Sequence, residues 1–192
     1  MTAISGDTLS DFKLNPSILE AALKICANEG QNPAASLILI DTAKQVCFFI
    51  KDNKDILFTY PVSTAALGTG QVENSYQTPL GLHKIKEKIG QGAQPFEVFS
   101  SRVSQGTVCT SDDPPSIVGR ILRLEGLEKG YNQGKNSEGQ CVDSWERYIY
   151  IHGTNKIDEI GRAAGAGCIR MKPEDIIQLF DQVSEGTIVY IG

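Results

Sequence analysis

Residues 36–62 read SLILIDTAKQVCFFIKDNKDILFTYPV, and this stretch decides the fold class. Leu37–Ile40 and Val46–Ile50 are short apolar runs separated by Asp41-Thr42-Ala43-Lys44. Runs this short, bounded by turn residues, are strands joined by a hairpin, because a helix needs a longer periodic segment. Asp52-Asn53-Lys54-Asp55 is a second turn signal, and Ile56–Val62 follows as a third strand.

Upstream, the pattern predicts a helix over 16–28. Ile18, Ala22, Ile25 and Cys26 recur at helical spacing. Two starts compete: a capping box of Ser17 with Glu20, or Asn15 as cap with Pro16 in the first turn. Downstream, 63–81 is a small-residue loop (STAALGTG, then TPLG) before a strand near 82–86. Residues 90–118 give weak signals, including Pro114-Pro115, and 128–146 is loop-like. A long insertion of this kind is read either as a lid or as a surface excursion. Tyr148–Ile151 is a strand running into His152-Gly153-Thr154. Pro173-Glu174-Asp175 opens a second helix whose buried face is Ile176, Ile177, Leu179, Phe180 and Val183. Gly186 ends it, and Thr187–Ile191 is a closing strand. The reading is a mainly β domain with one helix near each end.

The whole chain has 192 residues, 41% of them hydrophobic and 21% charged, with a formal net charge of −5. That is enough apolar residue for one real core. A nucleic-acid binder or a binder of anionic membranes carries the opposite charge balance, so neither is expected. No apolar run reaches the roughly 20 residues of a membrane span. The start, MTAISGDTLSDFKL, lacks a basic and apolar leader, so a cytoplasmic location is expected. The alternative is a periplasmic protein whose leader has been removed.

The five cysteines are Cys26, Cys47, Cys109, Cys141 and Cys168, with no C-x-x-C pair. An odd, scattered set fits a reducing compartment. Cys26 and Cys47 read as buried hydrophobes, Cys109 and Cys141 as surface thiols or a pair. His83, in LGLHKI, reads as a half-buried strand residue. Trp145 and Tyr148 read first as aromatic packing. Arg120, Arg123 and Lys129 alternate with Glu125 and Glu128 and read as a solvated face.

His152 is followed sixteen residues later by Gly167-Cys168-Ile169-Arg170-Met171. One thiol with one imidazole is the minimum for thiolate catalysis, since the His can take the thiol proton and return it to a leaving amine. Gly167 leaves backbone open to a substrate carbonyl, and amides there could receive an oxyanion. An extended 168–171 would put Cys168 and Arg170 on one face. That places a guanidinium suited to a substrate carboxylate beside the thiol. Too few ligands cluster here for zinc.

IYIHGT, GCIRM, DIIQLFDQV and GTIVYI, in that order, resemble the YkuD-type L,D-transpeptidase catalytic domain. LILIDTAKQVCFFIKD, YPVSTAALGTG, TPLGLHKI and GRILRLEGLEKGYN resemble its upstream segments, so the resemblance covers about 35–192. It implies a β-sandwich with Cys168 as nucleophile, His152 as base and the Gly153 carbonyl orienting the imidazole. Arg170, Gly167, Ala166, Ser63, Thr64 and Tyr150 are expected around substrate or oxyanion. No metal or organic cofactor is implied. The implied substrate is the peptidoglycan stem peptide, cleaved before its terminal D-Ala, with transfer to an amine or to water. Carbapenem β-lactams would acylate the same thiol. Residues 1–34 are expected to be a helical appendage, and 35–192 the catalytic domain with lid or loop insertions in 90–146. One departure stands out: Gly165-Ala166 replaces the family's usual Ser-His or Thr-His. The expected acceptor is water, making an L,D-carboxypeptidase acting on soluble muropeptides during wall recycling. A wall-located transpeptidase is the alternative, and a non-catalytic peptidoglycan-binding module on the same fold a further one.

Overall fold

The computed structural model describes residues 12–33, 36–52 and 55–192. Strands β1 (Ser36–Asp41), β2 (Val46–Lys51) and β3 (Asp55–Pro61) form the expected antiparallel meander. Its first turn is closed by Asp41, whose Oδ1 accepts from the Lys44 N–H at 2.9 Å. The second turn includes 53–54, which lie outside the described residues. Both β1 and β2 are apolar without alternation because both of their faces are covered. Leu37, Leu39, Val46, Phe48 and Ile50 face outward, and Ile38, Ile40, Cys47 and Phe49 face inward.

The outward set lies under helix α1 (Pro16–Asn28), whose Ala22 and Cys26 are fully buried there. Of the two competing starts, Asn15 provides the cap: its side chain accepts from the Ser17 N–H at 3.1 Å, and Pro16 opens the helix. The helix described from the sequence is therefore one layer of the packed structure; of the expected appendage, 1–11 and 34 lie outside the described residues.

The remaining strands continue the sheet. They are β4 (Gly81–Ile89), β5 (Glu97–Ser100), β6 (Val103–Val108), β7 (Ile117–Gly126), β8 (Tyr150–Thr154), β9 (Ile169–Met171) and β10 (Ile188–Ile191). β10 lies parallel to β1 and antiparallel to β4, so the end of the chain sits mid-sheet. β7 pairs with β4 and, on its first residues, with the β5–β6 hairpin; β8 pairs with β7, and β9 with β8. Ser63, just past β3, exchanges both backbone hydrogen bonds with Arg170 of β9 at 2.9 Å. The sheet thus returns on itself. Its two halves face each other across a core of Ile38, Phe49, Ile85, Leu122, Ile151 and Met171. Helix α2 (Pro173–Gln182) inserts Ile176, Leu179 and Phe180 into that core. This mainly β sandwich is the expected fold.

Four local expectations change. The weak region 90–118 contains β5, β6 and the start of β7, although 128–146 is indeed built of turns. The strand read at Tyr148–Ile151 begins at Tyr150 and carries His152 within it. Arg120 and Arg123 are not on a solvated face: they are 5% and 8% exposed in the buried strand β7. Their terminal nitrogens have local partners, while each Nε is buried without one. Arg120 donates to the Ala93 carbonyl at 2.6 Å and lies over the Phe180 ring. Arg123 stacks 3.2 Å from the Trp145 ring centroid and pairs with Glu87 at 3.6 Å. Lys129 is exposed as read. His83, read as half-buried, is instead fully buried, held by the Gly81 carbonyl and the Ser144 hydroxyl.

Candidate active site

Strand alternation assembles the site. Ile149, Ile151, Ile169 and Met171 point into the core, so Tyr150, His152, Cys168 and Arg170 share the opposite face. Parallel pairing sets His152 directly beside Arg170, and Cys168 lies two residues before that Arg on the same face. His152, Cys168 and Arg170 line one cavity of about 390 Å³, together with Ile117, Glu159 and Ala166.

Gly153 is required by close approach: a Cβ there would stand 2.4 Å from the Val118 carbonyl oxygen. Its own carbonyl lies 2.8 Å from His152 Nδ1. A carbonyl only accepts, so Nδ1 carries the hydrogen and Nε2 presents its lone pair. Burial pushes the His152 pKa down to about 4, the positive Arg170 adds to that, and the Gly153 bond opposes it. The imidazole is therefore neutral around pH 7, in the form that can accept a proton.

Cys168 follows Gly167, whose φ of +130° suits glycine. Its sulfur accepts from the Tyr150 N–H and donates to the Tyr148 carbonyl, both at 3.4 Å. Burial raises the thiol to about 11, while the Tyr150 N–H, Arg147 and Arg170 work against that rise. Burial thus favours the neutral form of both thiol and imidazole.

The other expected residues fall into distinct places. Arg170 is 9% exposed, and its two terminal nitrogens are taken by Glu159 Oε2 at 2.6 Å and Ser63 Oγ at 2.7 Å. It is a fastening for the site wall rather than an open carboxylate clamp. Its Nε is buried without a partner, and a Cβ on Gly165 would lie 3.2 Å from it. Ser63 and Thr64 are buried and do not line the cavity. Thr64 is bonded through its hydroxyl and N–H to Gln45, and its carbonyl accepts from the Ala164 and Gly165 N–H groups. Tyr150 reaches the thiol through its backbone, while its hydroxyl accepts from Arg102 at 3.2 Å. Ala166 is exposed and lines both the cavity and a second hollow of about 260 Å³, walled by Glu73, Tyr76, Glu146, Arg147 and Tyr148.

The sequence reading missed Glu159, Arg147 and the carbonyl of Tyr148. Each acts through a contact between distant segments, and no local pattern marks it. Among the described residues, no three His, Cys, Asp or Glu side chains gather as a metal site, and no helix is long and apolar enough to cross a membrane.

A family model described as the YkuD L,D-transpeptidase catalytic domain matches residues 35–191. The YkuD protein of Bacillus subtilis (strain 168), an L,D-transpeptidase by name, is 37% identical over 84 residues, or 41% of this chain and 51% of that one. YcfS of Escherichia coli (strain K12), likewise named, is 24% identical over 154 residues, covering 80% of this chain and 43% of that one. The matches thus span about half the length of these curated relatives. Among solved structures, an L,D-transpeptidase from Mycobacterium smegmatis aligns with a TM-score of 0.50 at 18% identity, over 83% of this chain and 59% of that one. At that identity the likeness bears on the fold alone.

Proposed function

Because the chain belongs to the L,D-transpeptidase catalytic-domain family, we propose that it performs thiol-based acyl transfer on peptidoglycan stem peptides. The observation that carries this reading is the register that puts neutral His152, with Nε2 open, on one strand face with Cys168. In the proposed reaction, His152 Nε2 takes the thiol proton as Sγ bonds to the carbonyl carbon of the third stem residue. The amides around Gly167 and Cys168 are assigned to the oxyanion. The bond to D-Ala then breaks, and the imidazolium returns its proton to the departing amine. The acyl thioester remains on Cys168. No step requires a metal or organic cofactor.

Water is the acceptor we assign, giving an L,D-carboxypeptidase. His152 would deprotonate that water as it attacks the thioester, and the proton would return to the sulfur. This assignment rests on the five scattered cysteines, which suit a reducing, cytoplasmic setting where soluble muropeptides would be met. One feature favours a second reading, transfer to an amine. The hollow beyond Ala166 carries two carboxylates, Glu73 and Glu146, which suit an incoming ammonium group. Incubation with a disaccharide tetrapeptide decides. Tripeptide and free D-Ala support hydrolysis, and cross-linked dimers support amine transfer. If neither product forms and a carbapenem leaves no adduct on Cys168, the enzymatic reading fails and a binding module remains.

A further inference from the structure

Arg147 lies one residue before the carbonyl that receives the Cys168 hydrogen, and no sequence pattern singles it out. Its guanidinium donates to the carbonyls of Gly70, Gln71 and Gln77 at 3.2, 2.7 and 2.7 Å, and reaches the Ser75 hydroxyl at 3.5 Å. The loop it holds is strained: Asn74 and Tyr76 are non-glycine residues with φ of 62° and 56°. Such backbone persists only where surrounding contacts over-determine it. The same loop borders the nucleophile, since a Cβ on Gly167 would stand 3.6 Å from the Gln77 carbonyl oxygen.

Charge gives Arg147 a second property. All four of its acceptors are neutral oxygens, and among the described residues no carboxylate lies within ion-pair distance of it. Glu73 and Glu146 line the same hollow outside that range, and Glu73 attracts Arg147 from there. Arg170, the other guanidinium near the thiol, is paired with Glu159 at 2.6 Å. His152 is neutral. A cation without a contact ion pair in a partly desolvated site acts on a nearby anion more strongly than one held in a close pair.

We propose that Arg147 is a positioning residue with two roles: it fastens loop 70–77 against Gly167, and its positive charge, held in no contact ion pair, steadies the Cys168 thiolate. The inference rests on Cys168 being the nucleophile, but its test needs no turnover and so fails separately from that reading.

The test is alkylation of Cys168, followed by peptide mass spectrometry, in wild type, Arg147→Lys and Arg147→Gln. Iodoacetamide is the neutral probe and iodoacetate the anionic one. Arg147→Gln should slow iodoacetamide at a fixed pH by on the order of tenfold, the change in thiolate fraction for one pKa unit. It should slow iodoacetate more. Arg147→Lys keeps the charge and should retain most of both rates. Amide exchange across 70–77 should rise in both variants, because neither reproduces the fork of hydrogen bonds. Equal slowing in both variants with an unchanged iodoacetate-to-iodoacetamide ratio overturns the charge role, and unchanged exchange overturns the fastening role. If Arg147→Gln does not fold, wild type decides the charge role: salt must lower that ratio at Cys168, and a salt-independent ratio rejects it.

Discussion

Cys168 gives its thiol hydrogen to the carbonyl of Tyr148 at 3.4 Å, and Tyr148 holds a left-handed backbone at φ 56°. The Tyr148 ring lies 5.2 Å from each of two guanidinium groups, those of Arg102 and Arg123. The resting S–H is therefore directed at a backbone oxygen. In the proposed reaction it would turn about the Cβ–Sγ bond toward His152, and the thiolate would form as substrate is attacked.

The pH dependence of acylation should follow from the neutral form of His152. His152, with its pKa lowered to about 4 by burial, stays a competent base until well below neutrality. Carbapenem acylation of Cys168 should lose rate only toward that acid limb, with no inflection at the ordinary imidazole value of about 6.5. Simple alkylation needs free thiolate and should climb steadily with pH toward about 11. His152→Ala should cut acylation by about 10²–10⁴-fold, the usual worth of a positioned base. A break near the ordinary imidazole value would contradict the assignment.

Gly153→Ala tests the strand spacing beneath the base. The added methyl would meet the Val118 carbonyl oxygen at 2.4 Å, and backbone must yield. A loss of about 1–3 kcal/mol in denaturant unfolding is expected. The carbonyl that orients His152 moves with it, so the rate of D-Ala release should fall by on the order of tenfold or more.

Gly165→Ser addresses the departure beside the nucleophile. The new Cβ would lie 3.1 Å from the Thr64 carbonyl and 3.2 Å from Arg170 Nε, a donor now buried without a partner. A hydroxyl there can accept from it. The substitution should raise stability by about 1 kcal/mol in thermal or urea unfolding. A drop instead would mean that the Thr64 backbone cannot give way.

Both histidines tie stability to pH. Burial lowers His83 and His152 to about 4 each, so the unfolded chain binds their protons first as pH falls through about 6.5. The native state then binds fewer protons than the unfolded one, and stability declines from about pH 6.5 toward 4. Each histidine adds a slope of up to about 1.4 kcal/mol per pH unit. His83→Gln should roughly halve the slope of urea stability against pH between about 5 and 6.5. An unaltered slope would show that His83 does not carry it.

Much of this molecule was legible from residue order. The meander of β1 to β3, both helices and the strand that carries IYIHGT follow from period and caps. What escaped was long-range. Arg120 and Arg123 alternate with acids as a surface strand would, yet β7 lies between β4 and β8, so their heads turn to carbonyls and rings instead. Arg170 reads as a substrate clamp, but its partners Glu159 and Ser63 come from 11 and 107 residues away. Ser63 and Thr64 look available in a small-residue loop and are consumed by Arg170 and Gln45. No spacing rule foretells such pairings.

The family match begins at residue 35, but the sandwich does not end there. Leu37, Leu39, Phe48 and Ile50 have α1 as their cover. A version trimmed to the matched span would wear an oily outer wall, inclined to stick to its own copies. The first helix thus acts as a raincoat for the sheet, and solubility, more than chemistry, is what its removal would cost.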